Sequence, residues 1–269
     1  MSLKFSNNSN ESIASKLNPS TIELFKNKIQ TNNMIDALNK YTLVITGTIG
    51  AGKSTICESL SYIFNSLNII TNNYPEFLYI DDEFSHRCLE KKILGHISDL
   101  TFQSYVLDNW IHILDSNKNN TGMKIFERCV DDSILCFCNI SNKTQKLTNT
   151  ELFSLFEKLQ YVNTTYNIPS YFDQDLHFTE INSSTLDFNL QQILEIIVSD
   201  IDRGITSRII GLSVSSFDSK CRIQQRSRTG ESNYTPEMID VFNNHYKKLY
   251  KQIKKHKRLE RFLDLGKLL

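Results

Sequence analysis

One stretch of eight residues restricts the fold of this chain more than any other feature. Residues 47–54 read Gly-Thr-Ile-Gly-Ala-Gly-Lys-Ser, which matches the pattern G-x-x-x-x-G-K-[ST] of a phosphate-binding loop (P-loop). The β-branched run at 41–46 before it predicts a strand, and residues 54–67 after it predict a helix. A strand and a helix are the flanks that this loop requires, so an accidental glycine-rich turn is the weaker interpretation.

The loop predicts where the phosphates of a nucleotide bind. Its glycines let backbone N–H groups close round phosphate oxygens, and the start of the helix adds a partial positive charge. Lys53 adds a mobile cation, and the Ser54 hydroxyl is expected to bind an Mg²⁺ that bridges the β and γ phosphates of ATP. The residues expected to contact ATP here are Gly47, Thr48, Ile49, Gly50, Ala51, Gly52, Lys53, Ser54 and Thr55.

Extended and helical patterns alternate along the rest of the chain. Residues 68–71, 124–126 and 208–214 are predicted strands, and helical patterns such as 102–114 and 151–162 separate them. This alternation predicts an α/β fold of the P-loop kinase type, in which helices cover both faces of a doubly wound parallel sheet.

The length of 269 residues suits one large α/β domain better than two. We place this domain at residues 39–269, after a flexible polar N-terminal extension over residues 1–38. Within that extension the stretch 22–38 is amphipathic and could lie against the domain. Residues 167–188 contain turn residues and no clear period, so an insertion or long loop is expected there.

Composition limits the partners of the chain. Thirty basic residues balance thirty acidic ones, so no overall field attracts nucleic acid or an anionic membrane. The six cysteines form no C-x-x-C pair, which argues against zinc and against a disulfide framework. The N-terminus is polar, and no apolar run approaches the roughly 18 residues of a membrane span. We therefore expect a cytoplasmic protein without a nucleic-acid or membrane partner.

Transfer of a phosphoryl group to a hydroxyl also requires a base, further cations and a pocket for the acceptor. Glu76 follows Pro75 at the end of a predicted strand, where a carboxylate would face the crevice beside the P-loop. Glu127 and Arg128 end the next strand, where Glu127 could hold the water shell of the metal and Arg128 could clamp phosphate or orient the base. Taken alone, Glu76 fits an ordinary surface position better than a catalytic one, and Glu127 with Arg128 fits a surface ion pair better.

A cluster of arginines lies near the C-terminus. Arg222, Arg226 and Arg228 recur at steps of four and two residues before Glu231. Such a segment could form a cationic lid that closes over ATP and neutralises the transferring group. A solvated helix end is an equally good interpretation of this cluster alone.

Five segments in order resemble the deoxyribonucleoside kinase family, which includes deoxycytidine, deoxyguanosine and mitochondrial thymidine kinases. The family's P-E dipeptide corresponds to Pro75-Glu76, its F-Q-[ST]-Y segment to residues 102–105, and its E-R-S segment to Glu127-Arg128-Cys129. Its R-I-x-x-R-x-R-x-x-E lid corresponds to residues 222–231, and its P-loop completes the set. Five ordered matches are far more specific than any single one.

The resemblance implies a role for each matched residue. Glu76 is expected to deprotonate the 5′-hydroxyl, Gln103 to pair with the edge of the base, and Glu231 to help hold the 3′-hydroxyl. Arg128 is expected to brace this site, while the arginines of the lid contact the phosphates of ATP. Family analogy also suggests a homodimer and a role in nucleotide salvage.

The chain departs from the family pattern at the acceptor pocket. Lys92 lies where family members carry a tyrosine that contacts the 3′-hydroxyl, which puts the discrimination against ribose in question. Ser133 and Trp110 occupy positions that line the base pocket in the family. The small serine leaves room for a 5-methyl group and the bulky indole narrows the pocket, so we predict that pyrimidine deoxynucleosides are better substrates than purine ones.

The sequence thus predicts a deoxyribonucleoside kinase that uses ATP and Mg²⁺. Two alternatives are a nucleoside monophosphate kinase, which would need an extra cationic site for the acceptor phosphate, and a non-catalytic regulator that binds ATP. A regulator would have no need of Glu76, Arg128 and the arginines of the lid together.

Overall fold

Five parallel strands form the centre of the domain. The protein is described by a computed structural model over residues 19–29, 32–76, 83–182, 185–226 and 234–256. The strands, β1 to β5, are Thr42–Gly47, Thr71–Tyr74, Met123–Glu127, Phe178–Ile181 and Ser207–Leu212. They pair in the order β2-β3-β1-β5-β4, with every pair parallel. The carboxyl ends of all five strands therefore meet at one edge of the sheet, with β1 in the middle.

Helices fill the connections between the strands. The described residues form ten α-helices: α1 Pro19–Lys28, α2 Asn32–Leu38, α3 Lys53–Ser66, α4 Glu83–Ile93, α5 Asp99–Asn117, α6 Asn139–Lys143, α7 Asn149–Tyr166, α8 Leu186–Asp202, α9 Ser216–Arg226 and α10 Pro236–His256. A π-helical segment, Ser133–Cys138, precedes α6. Side chains fix where two of the longest helices begin. Ser98 accepts from the backbone N–H of Thr101 at 3.0 Å, and Thr148 forms a capping box with Glu151.

The sheet buries both of its faces. Leu43 and Ile45 of β1 point into a core shared with α3 and α8, whereas Val44 between them points into a core shared with α5 and α7. This alternation along one fully buried strand requires helices on both sides, and the predicted doubly wound parallel sheet is confirmed. None of the described helices is long and apolar enough to cross a membrane.

Two strands differ from the sequence-based expectations. β2 begins at Thr71 instead of Asn68, because Asn68 adopts a left-handed backbone with φ of 61° that turns the chain out of α3. Residues 167–188, expected to be an insertion or a loop, contribute β4 to the sheet. β4 is an edge strand of four residues that pairs only with β5, so it carries too little hydrophobic periodicity to be recognised.

The described part of the N-terminal extension packs against the domain. Phe25, Ile29 and Leu38 are buried in the same core as α3 and α8, in agreement with the amphipathic pattern of residues 22–38. The boundary that we expected at residue 38 therefore falls within this core, and residues 1–18 lie outside the described residues.

Candidate active site

The P-loop leaves the carboxyl end of β1 and is held tightly by its neighbours. Gly47, Gly50 and Gly52 have φ values of 145°, 76° and 90°. A Cβ on Gly47 would lie 2.6 Å from the carbonyl oxygen of Leu212, and a Cβ on Gly50 would lie 2.6 Å from that of Ser219. Glycine is required at both positions, because the backbone is left-handed and the neighbouring chain leaves no room.

The start of α3 presents the expected cation and hydroxyl of the loop. Lys53 is buried, and its Nζ donates to the backbone carbonyl of Thr48 at 3.0 Å. Ser54 Oγ donates to Glu127 Oε1 at 2.6 Å. The hydroxyl of Thr48 is buried without a hydrogen-bond partner among the described residues. Such an orphaned polar group inside a glycine-rich loop fits a bound phosphate.

Glu76 and Arg128 form an ion pair beside the P-loop. Glu76 follows β2 and Arg128 follows β3, so the parallel sheet brings the two side chains to the same edge. Arg128 Nε donates to Glu76 Oε1 at 2.8 Å, and Arg128 Nη2 donates to Oε2 at 3.2 Å. A bidentate pair of this kind fixes the plane of the carboxylate as well as its position.

The guanidinium of Arg128 is almost completely engaged. Its Nη1 donates to the carbonyl oxygen of Gly47 at 3.2 Å and to the hydroxyl of Tyr246, and one face lies over the ring of Phe137. With the two bonds to Glu76, four of its five N–H groups have partners. The fifth, on Nη2, has none among the described residues, although the side chain lines the cavity described below. It is available to an incoming ligand.

Glu127 fits a role beside a cation. Burial and the nearby carboxylate of Glu76 raise its pKa, while Lys53, the Ser54 hydroxyl and Arg128 oppose that rise. Two close carboxylates in a buried site favour a bound cation, and a hydroxyl beside a carboxylate offers the hard oxygen ligands that Mg²⁺ prefers. No cluster of three or more His, Cys, Asp or Glu in the described part of the chain is arranged to hold a metal by itself.

A cavity of about 740 Å³, partly open to solvent, extends from this ion pair; we call it the acceptor cavity. Ile49, Gly50 and Lys53 of the P-loop line one part of it together with Glu76 and Arg128. The remaining walls are mostly apolar and come from α4, α5, the π-helical segment, α10 and the residue two positions before α10: Leu89, Lys92, Phe102, Gln103, Val106, Trp110, Ser133, Phe137, Phe242 and Tyr234. Apolar walls with a few convergent polar groups are typical of a binding site for an organic ligand such as a nucleoside.

Three residues predicted to read the acceptor line this cavity. Gln103 is 2% exposed, and its side-chain amide forms no hydrogen bond with any described residue. Trp110 lies one to two turns further along α5 and packs near Phe126, with ring centroids 6.0 Å apart. Ser133 is buried at the start of the π-helical segment. The structure therefore brings Gln103, Trp110 and Ser133 together with Glu76 and Arg128.

Lys92 contributes a cation to the cavity. In the sequence it was notable only because family members carry a tyrosine at this position. It lies on the last turn of α4, and its ammonium is 5.6 Å from the centroid of the Phe102 ring. It forms no hydrogen bond or ion pair with the described residues. Burial lowers its pKa, and the charge of Asp99 partly opposes this shift. An ammonium in this state is a strong donor that lacks an acceptor.

A polar network behind the site has no counterpart among the predicted residues. Asp132 Oδ2 accepts from Thr46 Oγ1 at 2.5 Å and lies 3.8 Å from Arg128 Nη1, and Oδ1 accepts from Tyr171 at 3.1 Å. Burial raises the pKa of Asp132, while Arg128 and hydrogen bonds that include one from Tyr246 oppose the rise. Two consecutive aspartates, 131 and 132, in an otherwise apolar stretch were the only signal of this network in the sequence.

The predicted arginine-rich lid is only partly described. Arg222 lies on α9, and its Nη1 donates to the carbonyl oxygen of Gly50 at 3.3 Å. The backbone of Arg226 ends the same helix. Arg228 and Glu231 lie outside the described residues.

One comparison with known proteins identifies a family. A family model described as deoxynucleoside kinase matches residues 43–176, which include β1 to β3, the P-loop and most of the acceptor cavity. A search of curated proteins gave no match.

Solved structures of a deoxyadenosine kinase from M. mycoides are also similar. One, with the products dCMP and a flexible dCDP bound, is 18% identical, covers 80% of this chain and 85% of that chain, and gives a TM-score of 0.50. Another, with bound dATP, is 19% identical, covers 79% of this chain and 84% of that chain, and gives a TM-score of 0.49. At this identity, the similarity at a TM-score of 0.50 supports the same fold.

Proposed function

The chain belongs to the deoxynucleoside kinase family, and from this premise we propose that it transfers the γ-phosphoryl group of ATP to the 5′-hydroxyl of a deoxyribonucleoside. The observation that carries the proposal is the bidentate pair of Glu76 and Arg128, which lies between the P-loop and the acceptor cavity. A protein that only binds ATP has no need of a fixed carboxylate at that point.

Glu76 acts as the general base in this proposal. A hydroxyl of an acceptor in the cavity approaches Glu76, which takes its proton as the oxygen attacks the γ-phosphorus. The bond from this phosphorus to the oxygen that bridges it to the β-phosphate breaks at the same time, and ADP leaves. Arg128 keeps the carboxylate in one orientation, and its remaining Nη2 hydrogen donates to the attacking or transferring oxygens. Lys53 exchanges its contact with the carbonyl of Thr48 for the phosphates of ATP.

The P-loop and the end of β3 are proposed to hold Mg²⁺ with ATP. Ser54 and Glu127 would hold the ion through a hydroxyl and a carboxylate. When bound, the ion neutralises charge that develops on the transferred phosphoryl group. Arg222, Arg226 and Arg228 are proposed to add cations from the lid.

The walls of the cavity are proposed to select the acceptor. Gln103 offers both a donor and an acceptor to the edge of a base, and Glu231 contacts the sugar. Ser133 leaves space for a methyl group, whereas Trp110 narrows the cavity. We therefore expect higher kcat/KM for thymidine and deoxycytidine than for deoxyadenosine and deoxyguanosine, and a homodimer as the active form.

Lys92 favours a second candidate, a nucleoside monophosphate kinase. That reaction needs an additional cation for the phosphate of the acceptor, and the ammonium of Lys92 lies in the cavity without a hydrogen bond or ion pair to the described residues. An assay with labelled ATP that offers deoxynucleosides and their 5′-monophosphates in parallel separates the two candidates, because each phosphorylates only its own acceptor class efficiently.

Replacement of the base tests the proposal directly. Glu76→Gln keeps the size of the side chain and one acceptor for Arg128 but cannot take a proton, so kcat should fall by about 10²- to 10⁴-fold while the Kd of ATP changes little. Glu195→Gln, an exposed substitution on α8, is the matched control and should keep wild-type kinetics. An unchanged kcat in folded Glu76→Gln protein would rule out Glu76 as the base.

A further inference from the structure

Tyr246 of α10 contacts the active site from behind. Its side chain is 3% exposed, and its hydroxyl accepts a hydrogen bond from Arg128 Nη1. The two residues are 118 positions apart in the sequence, and α10 contributes another residue, Phe242, to the wall of the acceptor cavity. A buried phenol thus holds the side of the guanidinium that faces away from Glu76.

The hydroxyl of Tyr246 also lies beside the carboxylate of Asp132. A tyrosine hydroxyl carries one hydrogen, and because its oxygen accepts from Arg128, that hydrogen is free to be donated elsewhere. Asp132 is the neighbouring acceptor: Tyr246 opposes the rise of its pKa through a hydrogen bond. Asp132 is held in turn by Thr46, the residue before the first glycine of the P-loop. The contacts therefore run from β1 through Asp132 to Arg128, which Tyr246 also holds, and from Arg128 to Glu76.

We propose that Tyr246 is a positioning residue of the phosphoryl transfer, which acts on the base Glu76 through Arg128. This inference rests on the proposed function. The guanidinium is planar, so a bond that fixes Nη1 also fixes Nε and Nη2, which carry Glu76. Without the phenolic oxygen, Nη1 keeps only the 3.2 Å bond to the carbonyl of Gly47 and the 3.8 Å ion pair with Asp132, and the guanidinium can tilt together with Glu76 away from the acceptor. Displacement of a catalytic group by about 1 Å is enough to reduce a rate strongly.

α10 is itself anchored beside the P-loop. Asn243, one turn before Tyr246, donates from Nδ2 to Ser216 Oγ of α9 at 2.7 Å. α9 contacts the P-loop through Ser219, whose Oγ donates to the carbonyl oxygen of Ile49. The position of Tyr246 is therefore tied to the elements that surround the nucleotide, in addition to the residues that it contacts directly.

The test compares two tyrosines on the same helix. Tyr246→Phe removes only the hydroxyl, and we expect kcat to fall about tenfold while the KM of ATP stays within about twofold of wild type. Tyr250→Phe is the matched control. Tyr250 lies one turn further along α10, is 1% exposed, and its hydroxyl has no hydrogen-bond partner among the described residues. It should keep kcat within about twofold.

A double-mutant cycle separates positioning from a general structural effect. If Tyr246 acts through Arg128, Tyr246→Phe should change kcat by less than about twofold in an Arg128→Lys background. A full tenfold loss in that background, or equal losses in Tyr246→Phe and Tyr250→Phe, would overturn the inference. Absence of nucleoside phosphorylation by the wild type would instead refute the proposed function.

A second variant covers the case in which Tyr246→Phe does not fold. Asp132→Asn keeps the size of the side chain but weakens the acceptor on the far side of the Tyr246 hydroxyl. It should lower kcat by a smaller factor, about threefold, and again without further effect in the Arg128→Lys background. Thermal unfolding of each variant, measured before the kinetics, shows which of the two is suitable.

Discussion

Lys92 lies in the acceptor cavity, in an environment unlike that of an ordinary surface lysine. Its ammonium lies among apolar walls without an acceptor from the described residues, and burial lowers its pKa. Because the folded-state pKa lies below the unfolded value, the unfolded chain binds more protons between the two values. The Lys92 contribution therefore destabilises the fold below the folded-state pKa, and this penalty disappears as the pH rises through that window.

The prediction for Lys92→Met follows from the destabilising effect of the buried ammonium. The substitution keeps the aliphatic stem and removes the buried charge, so Tm at pH 7 should rise above that of wild type, and the difference should shrink towards pH 10. The KM of the acceptor should increase several-fold while kcat changes less, because a ligand contact is lost. Thermal melts over pH and steady-state kinetics measure both effects.

Lys91→Met is the control for that experiment. Lys91 is the preceding residue of α4 and is exposed, so its removal should leave Tm and the KM of the acceptor almost unchanged. A lower Tm and an unchanged KM in Lys92→Met would show that Lys92 supports the fold of α4 and does not bind the acceptor.

At the scale of elements, α9 and the P-loop form one unit. Ser219 donates to the carbonyl oxygen of Ile49, Arg222 donates to that of Gly50, and the backbone of Ser219 approaches Gly50 closely. A methyl group on Gly50 would be 2.6 Å from the carbonyl oxygen of Ser219, on a backbone with φ of 76°. Both the contact and the left-handed backbone oppose an L side chain there.

Gly50→Ala should therefore displace α9 from the P-loop. We expect the KM of ATP to rise about tenfold or more and the free energy of unfolding to fall by about 1 to 3 kcal/mol. Gly95→Ala separates the two causes, because Gly95 has a nearly identical φ of 75° and nothing within 4 Å of its added Cβ. Gly95→Ala should lower the free energy of unfolding by about 1 kcal/mol and leave the KM of ATP unchanged. An equal effect of both substitutions on this KM would contradict the coupling.

Strands and helices were predictable from the sequence where the hydrophobic pattern of a segment matches the burial of its residues in the fold. β1, the P-loop and α3 were found because a run of β-branched residues, a glycine motif and a helical period follow one another. β4 was missed because four residues at a sheet edge have too few buried positions to show a period, and β2 was misplaced because Asn68 turns the chain. In both cases the hydrophobic pattern of the segment is weak, and tertiary contacts determine where the strand lies.

The contacts behind the site depend on the fold of the entire domain, and no local pattern in the sequence predicts them. Glu76 and Arg128 were identified because each lies at the end of a predicted strand, and Gln103 because residues 102–105 resemble a family segment. The pairing of Arg128 with Tyr246 joins residues 118 positions apart, and neither a period nor a motif marks Tyr246. Only the packing of α10 against the sheet creates that contact, so it becomes visible when the fold is known.

The opposite edge of the sheet contains a second buried ion pair that serves the fold. Asp200 of α8 accepts from Arg208 of β5 at both carboxylate oxygens, each at 2.5 Å, and from Tyr41 at 2.6 Å. Arg208 also donates to Thr179 of β4 at 2.8 Å. These contacts lie at the amino ends of the strands and join α8 to three strands or their flanks, far from the P-loop along each strand.

Asp200→Asn should therefore weaken the whole domain and leave the chemistry intact. The amide cannot balance the charge of buried Arg208, so the free energy of unfolding should fall by about 3 kcal/mol, measured by urea denaturation. Because the active site is at the other edge, kcat should stay within about twofold of wild type at a temperature where the variant is fully folded. Asp202→Asn, an exposed change two residues later, should cost less than about 0.5 kcal/mol. A marked loss of kcat in folded Asp200→Asn protein would show that the two edges of the sheet are coupled.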